Sequence, residues 1–197
     1  MWYWIFRLVF IVILKLFFRL KVEGLENLPQ KNNFIVVANH ASFLDPLVIK
    51  AAIPKKIHCL VLRSLYGIFG LSLFLKLEEA LPTGSSSEKA VSLLMQDKIV
   101  GLFPEGGRSY DGKLREFKTG AALLALKTGR PIVPCAILGA YEAFPRGASL
   151  PKLSPIKVKI ANPIYLLKEF EDVIDDLYLR EGILKVKNTI QEMLNAG

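Results

Sequence analysis

The chain has 197 residues, 52% of them hydrophobic, with 26 Lys and Arg against 18 Asp and Glu for a net charge of +8. That length holds one domain with a real core plus an appendage. Greasy and basic together point to an anionic lipid surface or an anionic substrate. The basic residues are scattered, with no zinc pattern and no RNA-binding aromatic motif, which argues against nucleic acid.

Residues 1–20 are almost wholly apolar and, as a helix, reach about 30 Å, the thickness of a bilayer core. Arg7, Lys15 and Arg19 fall in one stripe about 120° wide at 100° per residue, and Trp2, Tyr3 and Trp4 suit the headgroup region. The pattern favours a helix lying in or dipping into the interface over a true span. No small-residue cleavage site follows, and Lys21-Val22-Glu23-Gly24 leads straight into the domain. The organisation expected is therefore a membrane-associated helix, 1–20, and one domain, 21–197.

Val22 to Leu28 reads as a short strand and turn closed by Pro29, and Lys31-Asn32-Asn33 as a polar turn. Phe34–Ala38 is a buried strand. Ser42 can cap a helix from near Phe43 to Ile53, with Asp45 at its third position as in a capping box. His58–Leu62 is a further strand. Tyr66–Leu77 is a packed apolar helix or the wall of an acyl-binding groove. Gly84 to Glu88 is a loop and helix start, with the helix running to Gln96. Strands at Ile99–Phe103, Ile132–Leu138 and Lys157–Ala161 flank a hairpin-like segment at Asp111-Gly112, a small-residue helix at Thr119–Thr128 and an irregular stretch at Tyr141–Pro155. Glu171–Leu194 reads as one or two helices broken near Gly182. Cys59 and Cys135 lie in strand-like runs, as small buried hydrophobes of a reducing compartment rather than a disulfide or metal pair. Short apolar strands between helices predict a single α/β domain with a mainly parallel or mixed central sheet flanked by helices.

His40 and Asp45 stand after the first buried strand. Five residues apart on a regular helix they would diverge by about 140°. They meet only if His40 stays on the turn and Asp45 sits in the first helical turn. Asp45 then accepts from one imidazole nitrogen and leaves the other as a general base. No nucleophilic Ser or Cys lies in an elbow motif, so the base would act on a substrate hydroxyl or on water. A hydrogen-bonded core histidine beside a helix-capping aspartate fits the same residues. A second cluster, Glu105-Gly106-Gly107-Arg108-Ser109, also follows a strand end, where sites lie in open α/β sheets. Its glycines let backbone N–H groups approach an anion, Arg108 offers a planar fork for phosphate, and Lys113, Arg115 and Lys118 add charge. A Gly-rich turn with a solvated arginine is the alternative; Gly-Lys-Ser/Thr is absent.

Three blocks together, Asn39-His40 through Asp45, Phe103-Pro104-Glu105-Gly106-Gly107-Arg108-Ser109 and Ile132-Val133-Pro134-Cys135-Ala136-Ile137, resemble the glycerophospholipid acyltransferase family, closest to the 1-acylglycerol-3-phosphate type. The resemblance covers roughly Val22 to Ala161. It implies His40 as general base on a glycerol hydroxyl, oriented by Asp45. Glu105, Gly106, Gly107, Arg108 and Ser109 would bind the acceptor, with Arg108 on its phosphate, and Pro134 would help to shape the site. No metal or bound cofactor is implied. Acyl-CoA or acyl carrier protein would deliver the acyl thioester, membrane lysophospholipid would accept it, and the enzyme would sit on the cytoplasmic face of the inner or plasma membrane. The chain departs from the family's pattern twice. Ala80-Leu81-Pro82-Thr83-Gly84 lacks the arginine usual in the second block, and Gly107 stands where Thr is common. Another lysolipid acceptor, a lipid-interface thioesterase or hydrolase and a non-catalytic lipid-binding protein are the competing readings.

Overall fold

The computed structural model describes residues 2–30, 33–83, 86–166 and 176–197. The turn expected at Lys31-Asn32, the loop at Gly84-Ser85 and the start of the terminal helix at Glu171 lie outside them. Seven strands form one sheet: β1 (Lys21–Glu23), β2 (Ile35–Ala38), β3 (Ile57–Val61), β4 (Leu81–Pro82), β5 (Ile99–Leu102), β6 (Ile132–Leu138) and β7 (Lys157–Ile160), in the order β1-β7-β6-β2-β5-β3-β4. From β6 to β4 all neighbours run parallel; β7 is antiparallel to β6 and parallel to β1. The expected α/β class is what the backbone adopts, with the sheet mixed at one edge.

Burial on both faces explains the continuous apolar runs. Along β2, Ile35 and Val37 face one core and Val36 and Ala38 the other, as the two-residue period requires. Helices α1 (Trp2–Phe18) and α2 (Asp45–Ala52) cover one face. Helices α4 (Ser86–Met95), α5 (Gly120–Thr128) and α7 (Asp176–Asn195) cover the other. Two short helices, α3 (Leu71–Leu77) and α6 (Ala140–Ala143), complete the chain. Cys59 and Cys135 are free and buried, on strands that are not neighbours, and burial pushes the Cys135 thiol up to about 12.

Several local expectations are corrected. The Tyr66–Leu77 helix is a 3-10 turn at Arg63–Gly67 followed by α3, because Gly67 and Gly70 interrupt the run. Leu81-Pro82 is a strand, paired with Leu60 and Val61. Ala140–Ala143 is a helical turn inside the stretch read as irregular. No break occurs at Gly182: α7 runs through it, and a β-carbon there would stand 2.8 Å from Leu166. The glycine is a site of close packing, not a stop.

Helix α1 spans 17 residues, about 25 Å at 1.5 Å per residue. Among the described residues no helix is long and apolar enough to cross a membrane. One side of α1, carrying Tyr3, Leu14 and Phe18, is buried against the domain. Its charges do not share one stripe in use. Arg7 turns inward and donates to the carbonyls of Lys50 and Ala51, each at 3.0 Å, satisfying orphan acceptors at the α2 C-terminus. Arg19 lies past the helix end, at φ 47°. The outward face, with Ile5, Leu8, Val12 and Leu16, is left apolar and exposed. Lys50, buried on α2, pairs with buried Glu78 just beyond α3 at 2.5 Å, and its ammonium lies 5.5 Å from the Tyr3 ring. A buried pair of this kind fixes which elements meet more than it stabilises them.

Two stability measurements probe this framework. Gly139 has φ 79°, and a β-carbon there would collide with the carbonyl of Pro155, whereas Gly129, at φ 66°, has open space around it. Gly129→Ala should cost about 1 kcal/mol and Gly139→Ala more than that, read as denaturant midpoints; equal losses would contradict the close approach. His58 is buried on β3, and desolvation holds its imidazole below the ordinary 6.5, against the raising effect of the Glu79 carbonyl. The unfolded chain therefore takes up a proton that the folded chain refuses, so the His58 contribution to stability is present above pH 6.5 and lost as pH falls below it. His58→Asn should flatten stability against pH in that range.

Candidate active site

Strands β2 and β5 are adjacent and parallel, with Val37 opposite Leu102. Their carboxyl ends therefore release the segments Asn39–Asp45 and Phe103–Ser109 side by side, at the edge where α/β sheets carry their sites. Asn39, buried at the end of β2, prolongs the sheet by side chain. Its amide donates to the Ile137 carbonyl at 3.0 Å and its oxygen accepts from the Ile137 N–H at 2.7 Å.

The turn that follows is organised by Asp45. Its Oδ2 accepts from His40 Nδ1 at 2.8 Å and from the N–H groups of Ala41 and Ser42, each at 2.7 Å. The regular helix begins at Asp45 rather than near Phe43. Half of the expected capping box is present: Asp45 reaches back to the Ser42 N–H. Ser42 Oγ accepts from Leu44 N–H at 3.1 Å and donates to the Phe144 carbonyl at 2.8 Å. An ionised Asp45 can only accept, so Nδ1 of His40 carries the proton and the Nε2 lone pair is left for chemistry. The imidazole stacks on Phe103, with centroids 4.3 Å apart, and its side chain is 17% exposed.

The second segment clamps the first. His40 N–H donates to Glu105 Oε1 at 2.6 Å, and Ser109 N–H donates to the His40 carbonyl at 2.7 Å. Glu105 Oε2 accepts from Arg115 N–H at 3.0 Å. Both Glu105 oxygens are thus engaged by backbone. Burial pushes its carboxyl above the usual range, against the lowering effect of those two hydrogen bonds. Ser109 Oγ donates to Asp111 Oδ1 at 3.0 Å. Gly106 and Gly107 form the turn, and a β-carbon on Gly107 would meet only Arg115 at 3.7 Å, so the missing threonine leaves no steric gap that a Cβ could not enter. Arg108 lies flat on Phe43, its Cζ 3.4 Å from the ring centroid. Its Nη1 is buried without a hydrogen-bond partner.

A cavity of about 420 Å³ opens at this edge. Its lining includes His40, Arg108 and Lys118 as well as Leu60, Leu62 and Leu65. Its apolar wall is built from β3 and the turn after it. Asn39 and Phe103 stand inside the sequence blocks above and Phe43 between His40 and Asp45, yet none was given a role in the site; the role of Asn39 depends on a strand 98 positions away.

A histidine held by Asp45 at a strand end, an arginine on the neighbouring segment and a largely apolar cavity thus stand together at this edge. A model of the Acyltransferase family matches residues 19–138. The chain belongs to that family and is an enzyme of the acyltransferase class. It is 32% identical to the 1-acyl-sn-glycerol-3-phosphate acyltransferase of Bacillus subtilis over 161 residues, 78% of each protein. To that of Borreliella burgdorferi it is 27% identical over 86% of this chain and 72% of the relative. The human alpha form is 35% identical over 64% of this chain, which spans 47% of that longer protein. The crystal structure of the 1-acyl-sn-glycerophosphate acyltransferase PlsC from Thermotoga maritima superposes with a TM-score of 0.73 at 27% identity, over 95% of this chain and 80% of that one.

Glu105→Ala should leave the N–H groups of His40 and Arg115 without their acceptor, costing about 1–3 kcal/mol per orphaned group, partly offset by relief of the buried charge. A denaturation midpoint equal to wild type would contradict the clamp.

Proposed function

We propose that this chain transfers a fatty acyl group from an acyl thioester, on coenzyme A or acyl carrier protein, to the free hydroxyl of 1-acylglycerol-3-phosphate, giving phosphatidic acid. The observation that carries the reading is the His40 Nδ1–Asp45 Oδ2 bond of 2.8 Å at the mouth of an apolar cavity. The names of the relatives support the choice of acceptor. His40 Nε2 takes the hydroxyl proton while the oxygen attacks the thioester carbonyl. The tetrahedral intermediate collapses, the C–S bond breaks, and the imidazolium returns its proton to the leaving thiolate. Asp45 steadies the imidazolium without taking its proton. Arg108 holds the acceptor's phosphate, with Glu105, Gly106, Gly107 and Ser109 shaping the loop that presents it. The cavity wall of Leu60, Leu62 and Leu65 receives an acyl chain.

The reaction takes place at a membrane surface on this reading. The apolar outer face of α1 continues onto Ile68, Phe69 and Leu73, all exposed. Phe6 and Phe10 of α1 meet Phe74 of α3 edge-on, at 5.7 and 6.1 Å between centroids, which joins the two patches. An apolar surface this broad fits interfacial burial of a helix lying flat, with Trp2 and Trp4 at headgroup depth.

Purified protein assayed with both donors against a panel of lysolipids tests the reading. His40→Ala should lose acyl transfer, on the order of 10²-fold or more, with fold and vesicle binding retained; near-wild-type transfer would refute the base. Arg108→Ala should raise KM for phosphorylated acceptors, and an equal effect on phosphate-free acceptors would count against the phosphate fork.

A further inference from the structure

A second guanidinium stands near enough to Arg108 for its charge to bear on it. Arg146 lies in the loop after α6, and its Cζ sits 4.1 Å over the ring of Tyr110. The placement is supported from several sides. The Tyr110 carbonyl accepts from the Tyr141 hydroxyl at 3.0 Å, which ties the loop after Ser109 to α6. The Phe144 carbonyl accepts from Ser42 Oγ at 2.8 Å, which ties the chain two residues before Arg146 to the turn that carries His40. The Phe144 ring lies 6.0 Å from that of Phe43, on which Arg108 rests. Three segments far apart in sequence thus converge and bring both arginines to one place.

The charges at that place do not balance. Among the described residues neither guanidinium has a carboxylate partner, and Arg108 Nη1 is buried with no acceptor. Asp111, the acidic residue nearest in the loop, spends its Oδ1 on Ser109 Oγ and Lys113 N–H. Burial and then the Arg146 charge lower the affinity of Arg108 for its proton, while Asp45 acts the other way. Two like charges held together by stacking, one with an idle donor, are complementary to an anion that can take several hydrogen bonds at once. A phosphate monoester has three such oxygens and a charge of about −1.5 to −2 near pH 7.

We propose that Arg146 is a phosphate-binding residue, forming with Arg108 a two-arginine clamp that selects acceptors carrying a phosphomonoester dianion. The inference rests on the acceptor reading above and names the residue that sets its specificity. Coenzyme A also carries phosphates, so the shared chemistry is a phosphate dianion and the test separates its two sources.

Wild-type, Arg146→Ala and Arg146→Lys proteins are compared with 1-acylglycerol-3-phosphate and with 1-acylglycerol as acceptors, at varied acyl-CoA. Arg146→Ala should raise KM for the phosphorylated acceptor by about 10- to 100-fold. It should leave kcat, the KM for acyl-CoA and the melting temperature near wild type, because Arg146 is exposed. Arg146→Lys should recover part of the loss. A rise confined to the KM for acyl-CoA assigns the charge to the donor and overturns the proposal, as does an unchanged KM for the phosphorylated acceptor. Calorimetric binding of 1-acylglycerol-3-phosphate to the same proteins in detergent reads the clamp apart from turnover. Equal affinity of wild type and Arg146→Ala overturns the clamp, whereas weakened binding by the variant with no wild-type turnover overturns only the acceptor reaction.

Discussion

Both backbone polar groups of His40 are held by the segment after β5: its N–H by Glu105 and its carbonyl by the Ser109 N–H. Much else in the site follows from that clamp. A histidine on a turn would otherwise sample several backbone conformations, and the base proposed for this site would lose much of its effect if displaced by an ångström. Pinning both polar groups leaves only the side-chain torsions to be set. Asp45 fixes those from one side and the stacked Phe103 from the other. The clamp exists because β2 and β5 are neighbours in parallel register, so the two loops leave the sheet at the same level. The requirement explains why a carboxylate is kept almost wholly buried there, although burial raises its pKa.

In Asp45 a helix-capping role and the proposed orientation of His40 are one arrangement. It is the first residue of α2, where a negative charge suits the helix dipole, and it gathers two N–H groups of the preceding turn. The same Oδ2 atom accepts a hydrogen bond from the imidazole. The capping geometry is therefore compatible with the proposed general base; the cap also orients the histidine. Helix α2 is secured in its turn. Arg7 closes its C-terminus and Lys50 pairs with Glu78, so the helix that carries Asp45 is tied to α1 and to the segment after α3.

How much of this was legible depends on range. Strands β2, β5 and β6 were readable because a parallel sheet covered on both faces leaves unbroken apolar runs. Strand β4 has two residues, one of them proline, and becomes a strand only through pairing with β3. The break expected at Gly182 failed because the signal for a stop and for tight packing is the same residue, and only Leu166 across the interface distinguishes them. Likewise, the stripe expected of Arg7, Lys15 and Arg19 fails because the helix ends at Phe18, before Arg19, and because Arg7 serves α2, a partner that angles on one helix cannot reveal. In the site, the His40–Asp45 pair was accessible because five residues and a turn are local. The backbone contacts of Glu105 were not, since they join positions 65 residues apart.

The cavity beside His40 brings cationic and apolar side chains together, as the proposed acceptor would need. An acyl acceptor of this class is an amphiphile: phosphate at one end, hydrocarbon at the other, the reacting hydroxyl between. Arg108 and Lys118 line the cavity together with His40, Leu60, Leu62 and Leu65. A phosphate drawn to the arginine side has no equally good position among the leucines, because a dianion there would lose its hydration without compensation. Hydrocarbon on the arginine side would in turn strand a guanidinium N–H that is already without a partner. On the proposed reading, an acceptor bound with both ends satisfied would present its middle, where the hydroxyl lies, to the histidine.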